Sequence, residues 1–510
     1  MRRALHGTQI YLSDPTVFKN SLQRTLEAHR SSNRASLVRK VINRTPPKGI
    51  FRPEILSTWN TPNSQASEEL SSAATPQSAS PPNSTGARRK AGSLRQGTSV
   101  CTSQGVPSEQ IQWAADAGNN RPEQSPWMDF LGPDYKYLDG VSQLDAEIRA
   151  LEKYMSPKIH EQEYVDQVAA EIGRLLAGIV PRPPHLVGSW RTGLAMSHSD
   201  LEFVLPVPDS ARSIERLRKP SATRPQVLDI YKNLLRDVEN ALRRCSSFGN
   251  RVHLHSRRSL VLTAIHGPTS MKLKFRCGEG LPPSVDYIRD YHAEYPSIRP
   301  LYVASRLILE SRGLFGSHNL SIGSDVLVML LVGFLKMNHG RFRMPNSLGE
   351  QLLAFLKFYG GTIDFTTTGI SVDPPGSFNA DTVEEASRAY HPEHIPAHLR
   401  GQRALINIKR TALARQNVLA ASRLCLQDPA NYMNDIGRAC TRTREFQSAF
   451  LCAYNLIDAS ILDRETSNHG GPISSLLTHA LQANFDGLSK VRARITSTVG
   501  GSIPTSTLGS

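Results

Sequence analysis

The sequence predicts an α+β fold: a mixed sheet with flanking helices, then a mainly helical unit, behind a long N-terminal stretch that has no core of its own. Three observations predict it. Between Val165 and Cys277 apolar residues recur first at helical spacing and then in two-residue alternation. After Ile298 helical spacing runs almost unbroken to about Leu462. From Ser57 to about Ser125 the chain is rich in Ser, Thr, Pro, Gln and Asn and has almost no aliphatic periodicity.

Residues 1–55 hold 11 Lys/Arg against Asp14, Glu27 and Glu54. Arg-rich, Ser-containing and acid-poor is the composition of a mitochondrial presequence, and import into mitochondria is one expectation. The other is a basic arm on a nuclear or cytoplasmic protein. Residues 56–125 read as a disordered linker, because they cannot bury enough apolar surface to offset their ordering entropy. Residues 126–290 are expected to fold around the sheet. Trp127 and Phe130 should dock on the body, Ser142 should cap a helix with Asp145 at its third position, and a second helix should carry Val165, Val168, Ile172 and Leu176. Strands are expected at 201–207, 260–265 and 271–277. Residues 291–465 form the helical unit. Residues 466–510 read as a mostly loose tail with one short helix near 473–481.

The formal charge is +15, of which +10 lies in residues 1–100, so the remaining 410 residues carry only +5. A mildly basic body suits a partner held through phosphates. The six cysteines are scattered without a CxxC pair, which argues against a disulfide framework or structural zinc and for a reducing compartment. The longest apolar run, 326–335, is about half the ~20 residues a spanning helix needs, so it is a core helix and no membrane partner is expected.

The chemically informative segment runs from Gly188-Ser189 to Asp200-Leu201-Glu202. Residues i and i+2 of a strand share a face, so Asp200 and Glu202 converge while Leu201 and Phe203 enter the core. Such a pair can bridge two divalent metals roughly 3.5–4 Å apart, the arrangement used for in-line phosphoryl transfer. The Gly-Ser corner lets backbone N–H groups and a hydroxyl approach a triphosphate.

This segment resembles the signature of DNA polymerase beta-like nucleotidyltransferases. Later segments narrow the resemblance to the poly(A) polymerase and terminal uridylyltransferase family, with its PAP-associated helical domain. They are Ile298-Arg299-Pro300-Leu301 with Arg306, Ser321 to Asp325, Phe355 to Gly360, Gly369 to Ser371, and Asp428-Pro429 with Asn434-Asp435. The resemblance covers roughly residues 127–460 and keeps the family's motif order. It implies a nucleotidyltransferase palm, and a template-independent RNA 3′-end nucleotidyltransferase that adds AMP or UMP. An RNA 3′-OH would attack the α-phosphate of ATP or UTP and release pyrophosphate. By matching position, Asp200 and Glu202 would be the catalytic carboxylates holding Mg²⁺ or Mn²⁺. Gly188 and Ser189 would face the nucleotide phosphates, and Arg306, where the family has Lys, the triphosphate. Ser324 would contact a phosphate or the sugar, and Asn434 and Asp435 would line the base pocket.

Two positions depart from the family. Its third carboxylate falls on a strand whose open face here carries Lys272, Lys274 and Arg276, and the acidic position aligns with Lys274. A cation cannot ligate Mg²⁺, which takes oxygen ligands. Glu279 or Asp286 is the available substitute from the following segment. The family's base-stacking Tyr aligns with Asp325, which has no π-face. The activity is therefore expected to be weak or lost, and the alternative is a catalytically inactive RNA-binding or assembly protein on the same fold. The Lys274 ammonium is expected within ~4 Å of Asp200 or Glu202, the limit for an ion pair. Other candidates are bland: His391, His394 and His398 read as loop histidines, Ser197-His198-Ser199 cannot be a triad on an extended chain, and Arg216 to Lys219 reads as a solvated basic run.

Overall fold

The computed structural model describes residues 22–31, 111, 113, 124–207, 224–256, 260–278, 280–316, 320–342, 344, 347–466 and 474–500. Arg216 to Lys219, Glu279, and most of the presequence and linker readings lie outside them. Helix α1 (residues 22–31) buries Leu22 and Leu26 in the main apolar core. Trp127 docks as expected and is fully buried, while Phe130 stays exposed. Helix α2 (Gly140–Met155) starts earlier than the sequence suggests. Asp139 caps it by accepting the Ser142 N–H at 3.4 Å, which makes Ser142 a helical residue rather than the cap. Asp145 instead accepts the backbone N–H groups of Leu348 and Gly349 at the start of a later helix. Helix α3 (Ile159–Leu175) turns Val165, Val168 and Ile172 inward.

The alternating segments form one five-stranded sheet. β1 (His185–Val187) leads through the one-turn helix α4 (Ser189–Thr192) to β2 (Leu201–Pro206). After helix α5 (Arg224–Arg244) come β3 (Val252–His255), β4 (Val261–Ile265) and β5 (Lys272–Gly278). The strand order is β1-β2-β5-β4-β3, with only the β2–β5 pair parallel. Leu201, Phe203, Leu273 and Phe275 point to the face covered by α3 and α5, whose Val168, Ile172, Leu235 and Val238 complete that core. The opposite face carries the polar residues of β2 and β5.

Helix α6 (Pro283–Glu294) leads from the sheet into α7 (Ile298–Glu310), α8 (Ser324–Met337) and α9 (Leu348–Lys357). The long apolar run is the centre of α8, where every residue from Leu327 to Leu335 is buried, as a helix apolar on all sides requires. The strands β6 (Gly369–Val372) and β7 (Pro375–Phe378) then form a hairpin that helical periodicity did not announce. Helices α10 (Ala380–Arg388), α11 (Ala397–Ala414) and α12 (Val418–Ala421) follow, then β8 (Leu426–Gln427), which adds to β6 in parallel, and the long helix α13 (Thr443–Thr466).

The C-terminal segment is not loose where it is described. Helix α14 (Thr478–Leu481) buries Ala480 and Leu481, Leu477 is buried just before it, and helix α15 (Asp486–Gly500) buries Leu488. A carboxylate inside the body holds this segment: fully buried Glu147 accepts the N–H groups of Leu476 at 2.8 Å and Leu477 at 3.2 Å. The apolar set is too short to show periodicity, and its polar anchors lie more than 300 residues upstream. Among the described residues, no helix is long and apolar enough to cross a membrane.

Candidate functional site

The polar face of β2 and β5 builds the site. The parallel register places Glu202 opposite Lys274, and Asp200 stands two residues before Glu202 on the same face. Lys274 Nζ lies 2.7 Å from Asp200 Oδ2 and 3.7 Å from Glu202 Oε1. Burial opposes the ammonium, but the charges of Asp200 and then Glu202 outweigh it and hold the Lys274 pKa above its ordinary value. Burial lowers neighbouring Lys272, against the pull of Asp200. Gly188, at φ 71°, closes the corner beside them; a Cβ there would sit 3.3 Å from Glu202 Oε2. Only a glycine combines that left-handed backbone with so close an approach. Ser189 follows at the start of α4, partly exposed.

These residues do not fit a divalent metal pair. Two carboxylates converge, but an ammonium fills the place where a cation would be held. Asp286 does not supply a third ligand, because it stands on α6 beside His29, 3.4 Å away. Among the described residues, no group of three or more His, Cys, Asp or Glu could hold a metal ion. The histidines near 391–398 are no exception.

Next to the pair lies a cavity of about 270 Å³, lined in part by Gly188, Glu202, Arg276, Ser284 and Asp325. Asp325 sits at the start of α8, is exposed, and lines this cavity. The protein around it, and then the charge of Glu202, raise its carboxyl to about 6, against the opposing pull of Arg276 and a hydrogen bond with Ser284. The wall where a stacking ring was sought therefore carries an acid, and it faces a second one.

The remaining sequence candidates split into two groups. Arg306 is 6% exposed and turned into the junction between α7 and the loop before β2. It donates to Glu310 Oε1 at 2.8 Å, Ser199 Oγ at 3.1 Å and Tyr302 Oη at 3.2 Å. Glu310 also meets His198 Nε2 at 2.9 Å, and the buried cation holds the Glu310 carboxyl below its ordinary range. Ser324 Oγ joins the same network through Tyr302 Oη at 2.6 Å. The second group is the 428–435 loop. Asn434 Nδ2 donates to Asp428 Oδ2 at 3.0 Å, and Asp435 Oδ1 accepts the N–H groups of Leu426 and Gly437 at 3.0 and 2.9 Å. Both side chains thus brace the loop itself.

Sequence reasoning set His198 aside and missed Glu310 and helix α1. Glu310 had a signal, four residues after Arg306 on an apolar helix. Helix α1 had none. Its Arg30 donates to the Pro429 carbonyl at 2.9 Å and lies over the Tyr432 ring at 4.7 Å, and its Thr25 donates to Asp290 at 2.6 Å.

Comparison with known proteins agrees with this architecture. Residues 347–434 match the family described as Cid1 family poly A polymerase. Poly(A) RNA polymerase protein 2 of Saccharomyces cerevisiae is 23% identical over 338 residues, 65% of this chain and 50% of that protein. A Drosophila melanogaster relative, the inactive poly(A) RNA polymerase protein Trf4-2, is 24% identical over 39% of this chain and 43% of its own length. The chain spans about half the length of the curated relatives it matches. In fold it is similar to the polymerase core of TRAMP, an RNA surveillance complex, with a TM-score of 0.54 at 18% identity, covering 70% of this chain and 99% of that one.

Proposed function

We propose that this chain, which is similar to poly(A) RNA polymerases and carries a Cid1-family region in its helical part, is an RNA-binding protein on a nucleotidyltransferase fold whose transfer chemistry is lost or vestigial. The observation that carries this reading is Lys274, whose ammonium sits 2.7 Å from Asp200. In-line nucleotidyl transfer needs oxygen-ligated cations between the carboxylates and the phosphates. Here the carboxylates already spend their charge on an internal cation. The neighbouring cavity adds Glu202 and Asp325, two groups that repel a triphosphate. An inactive relative in Drosophila melanogaster makes the loss of activity a known outcome among similar proteins.

The decisive assay supplies the purified full chain with an oligo(A) primer, each of the four ribonucleoside triphosphates, and Mg²⁺ or Mn²⁺. The expected result is no extension above an Asp200→Ala control, together with primer binding that weakens as salt rises, because phosphate contacts release counterions. Extension well above that control would restore the alternative, an RNA 3′-end nucleotidyltransferase adding AMP or UMP. Residence in mitochondria is a separate proposal, resting on the acid-poor, Arg-rich composition of residues 1–55. A reporter fused to residues 1–60 that stays diffuse in the cytosol would reject it.

A further inference from the structure

Two acid-free stretches carry much of the positive charge after residue 100, and residues 240–278, with eight Lys/Arg, are one of them. Residues 397–427 hold six Lys/Arg and no Asp or Glu, whereas residues 101–510 as a whole carry only +5. Without this segment the rest of that body is slightly acidic. One of the six, Lys409, is buried and donates to three carbonyls, those of Phe365, Ala421 and Arg423, so it serves the fold. The other five, Arg400, Arg403, Arg410, Arg415 and Arg423, are all exposed.

On α11 the arrangement is directional. At 3.6 residues per turn, Arg400, Arg403 and Arg410 fall within about 80° of one another around the helix axis, with exposed Asn407 between them. Arg415 follows just beyond the last turn, about 140° around the axis from Arg410. Their guanidinium groups make no ion pair or hydrogen bond among the described residues. Three arginines of the body are tied instead: Arg299 to Glu152 at 3.0 Å, Arg306 to Glu310 at 2.8 Å, Arg492 to Glu161 at 3.5 Å. Among the described residues, none pairs with this row of cations.

One end of the row meets the 428–435 loop. Gly401 packs so closely on it that a Cβ would lie 2.1 Å from the Tyr432 carbonyl oxygen. Gln427 Nε2 ties the two together by donating to the carbonyls of His398 and Tyr432, each at 3.0 Å. The start of α11 is therefore fixed to that loop. Arg400 to Arg415 spans roughly 22 Å at 1.5 Å per residue.

We propose that the exposed face of α11, with Arg400, Arg403, Arg410 and Arg415, is a binding surface for the phosphate backbone of single-stranded RNA. Arginine suits the task, because its planar fork meets phosphate oxygens in pairs and it is weakly hydrated. Asn407 adds a neutral donor and acceptor within the row. The proposal rests on the RNA-binding reading above and gives that partner a location away from the cleft.

The experiment measures fluorescence anisotropy of a labelled 20-mer oligo(A) RNA between 50 and 200 mM KCl, with the full chain and with Arg400→Gln/Arg403→Gln/Arg410→Gln/Arg415→Gln. A labelled polyglutamate peptide of equal length is the second probe, and far-UV circular dichroism reports folding. Each lost contact to single-stranded nucleic acid lowers the slope of log K against log salt by roughly 0.7, so the fourfold variant should lose up to about 2.8 and bind at least about 10-fold more weakly. If that variant does not fold, Arg403→Glu/Arg410→Glu takes its place, with the same expected direction. Native binding of RNA with affinity and slope unchanged in the variant overturns the surface and leaves the RNA reading intact. No RNA binding by the native chain overturns both. Tighter binding of polyglutamate than of RNA overturns the proposal in favour of an acidic protein partner.

Discussion

The β2–β5 cleft and the α11 face hold positive charge in opposite ways. In the cleft, Lys274 closes on Asp200 and Glu202, and at the junction behind it Arg306 closes on Glu310 and His198. On α11 the arginines close on nothing among the described residues. Paired charge in a partly buried place is structural: it satisfies groups the fold has taken from water. Unpaired charge on a helix face contributes little to the fold and stays available to a partner. The comparison teaches that the part of this molecule resembling a catalytic centre has turned inward, while capacity for a phosphate-bearing partner lies elsewhere.

The sharpest way to break that comparison is at the junction. Glu310→Ala leaves the Arg306 guanidinium buried without its carboxylate, and the expected loss is about 3–5 kcal/mol, measured as a shift in the urea midpoint. An unchanged midpoint would show that Arg306 does not depend on the pair.

Lys274→Met comes next. It leaves Asp200 and Glu202 facing each other without a cation, at an expected cost of about 1–2 kcal/mol at pH 7. In the native protein the Lys274 pKa is raised above 10.5. Its contribution is therefore fully present below pH 10.5 and lost as pH rises through the higher folded value. A Met variant as stable as the native protein at pH 7 would show that the pair contributes nothing to the fold.

Asp325→Asn should have a smaller effect, and in the opposite direction. The native carboxyl is raised from 3.8 to about 6, so ionising it opposes folding. Stability is lost as pH rises from 3.8 to about 6 and stays reduced above that. The Asn variant should therefore melt higher than the native protein at pH 7 and no higher at pH 3.8. Smallest of all, Arg403→Gln/Arg410→Gln should leave stability within about 0.5 kcal/mol, as expected for exposed side chains with no partner among the described residues. A larger loss would mean that α11 uses those arginines for the fold, and the contrast between the two regions would fail.

How much of this was legible in the sequence follows the range of the interactions. The two-residue period placed Asp200 and Glu202 on one strand face and Lys272, Lys274 and Arg276 on another, and the resemblance aligned Lys274 with an acidic position. Pairing of the two strands then brings the ammonium to the carboxylates with no further information. Arg306 was legible as a residue but not as a direction, since Ser199 and His198 reach it from more than 100 residues upstream. The β6–β7 hairpin was hidden because Gly369 to Val372 is buried on all four residues and shows no alternation. The docking of α14 depends on Glu147, and that of α1 on loops near Asp373 and Pro429; both couple segments far apart in sequence. Local patterning carries no trace of such partners.

The central claim is that an internal ammonium occupies the place of a catalytic metal, and Mn²⁺ binding tests it most directly. Electron paramagnetic resonance of free Mn²⁺ should be followed during titration into the native chain, Lys274→Asp and Asp200→Ala/Lys274→Asp. The expected result is no binding by the native chain at millimolar Mn²⁺, binding at least about 10-fold tighter in Lys274→Asp because a third oxygen ligand replaces the cation, and loss of that gain when Asp200 is also removed. Tight Mn²⁺ binding by the native chain, unchanged by Lys274→Asp, would contradict it.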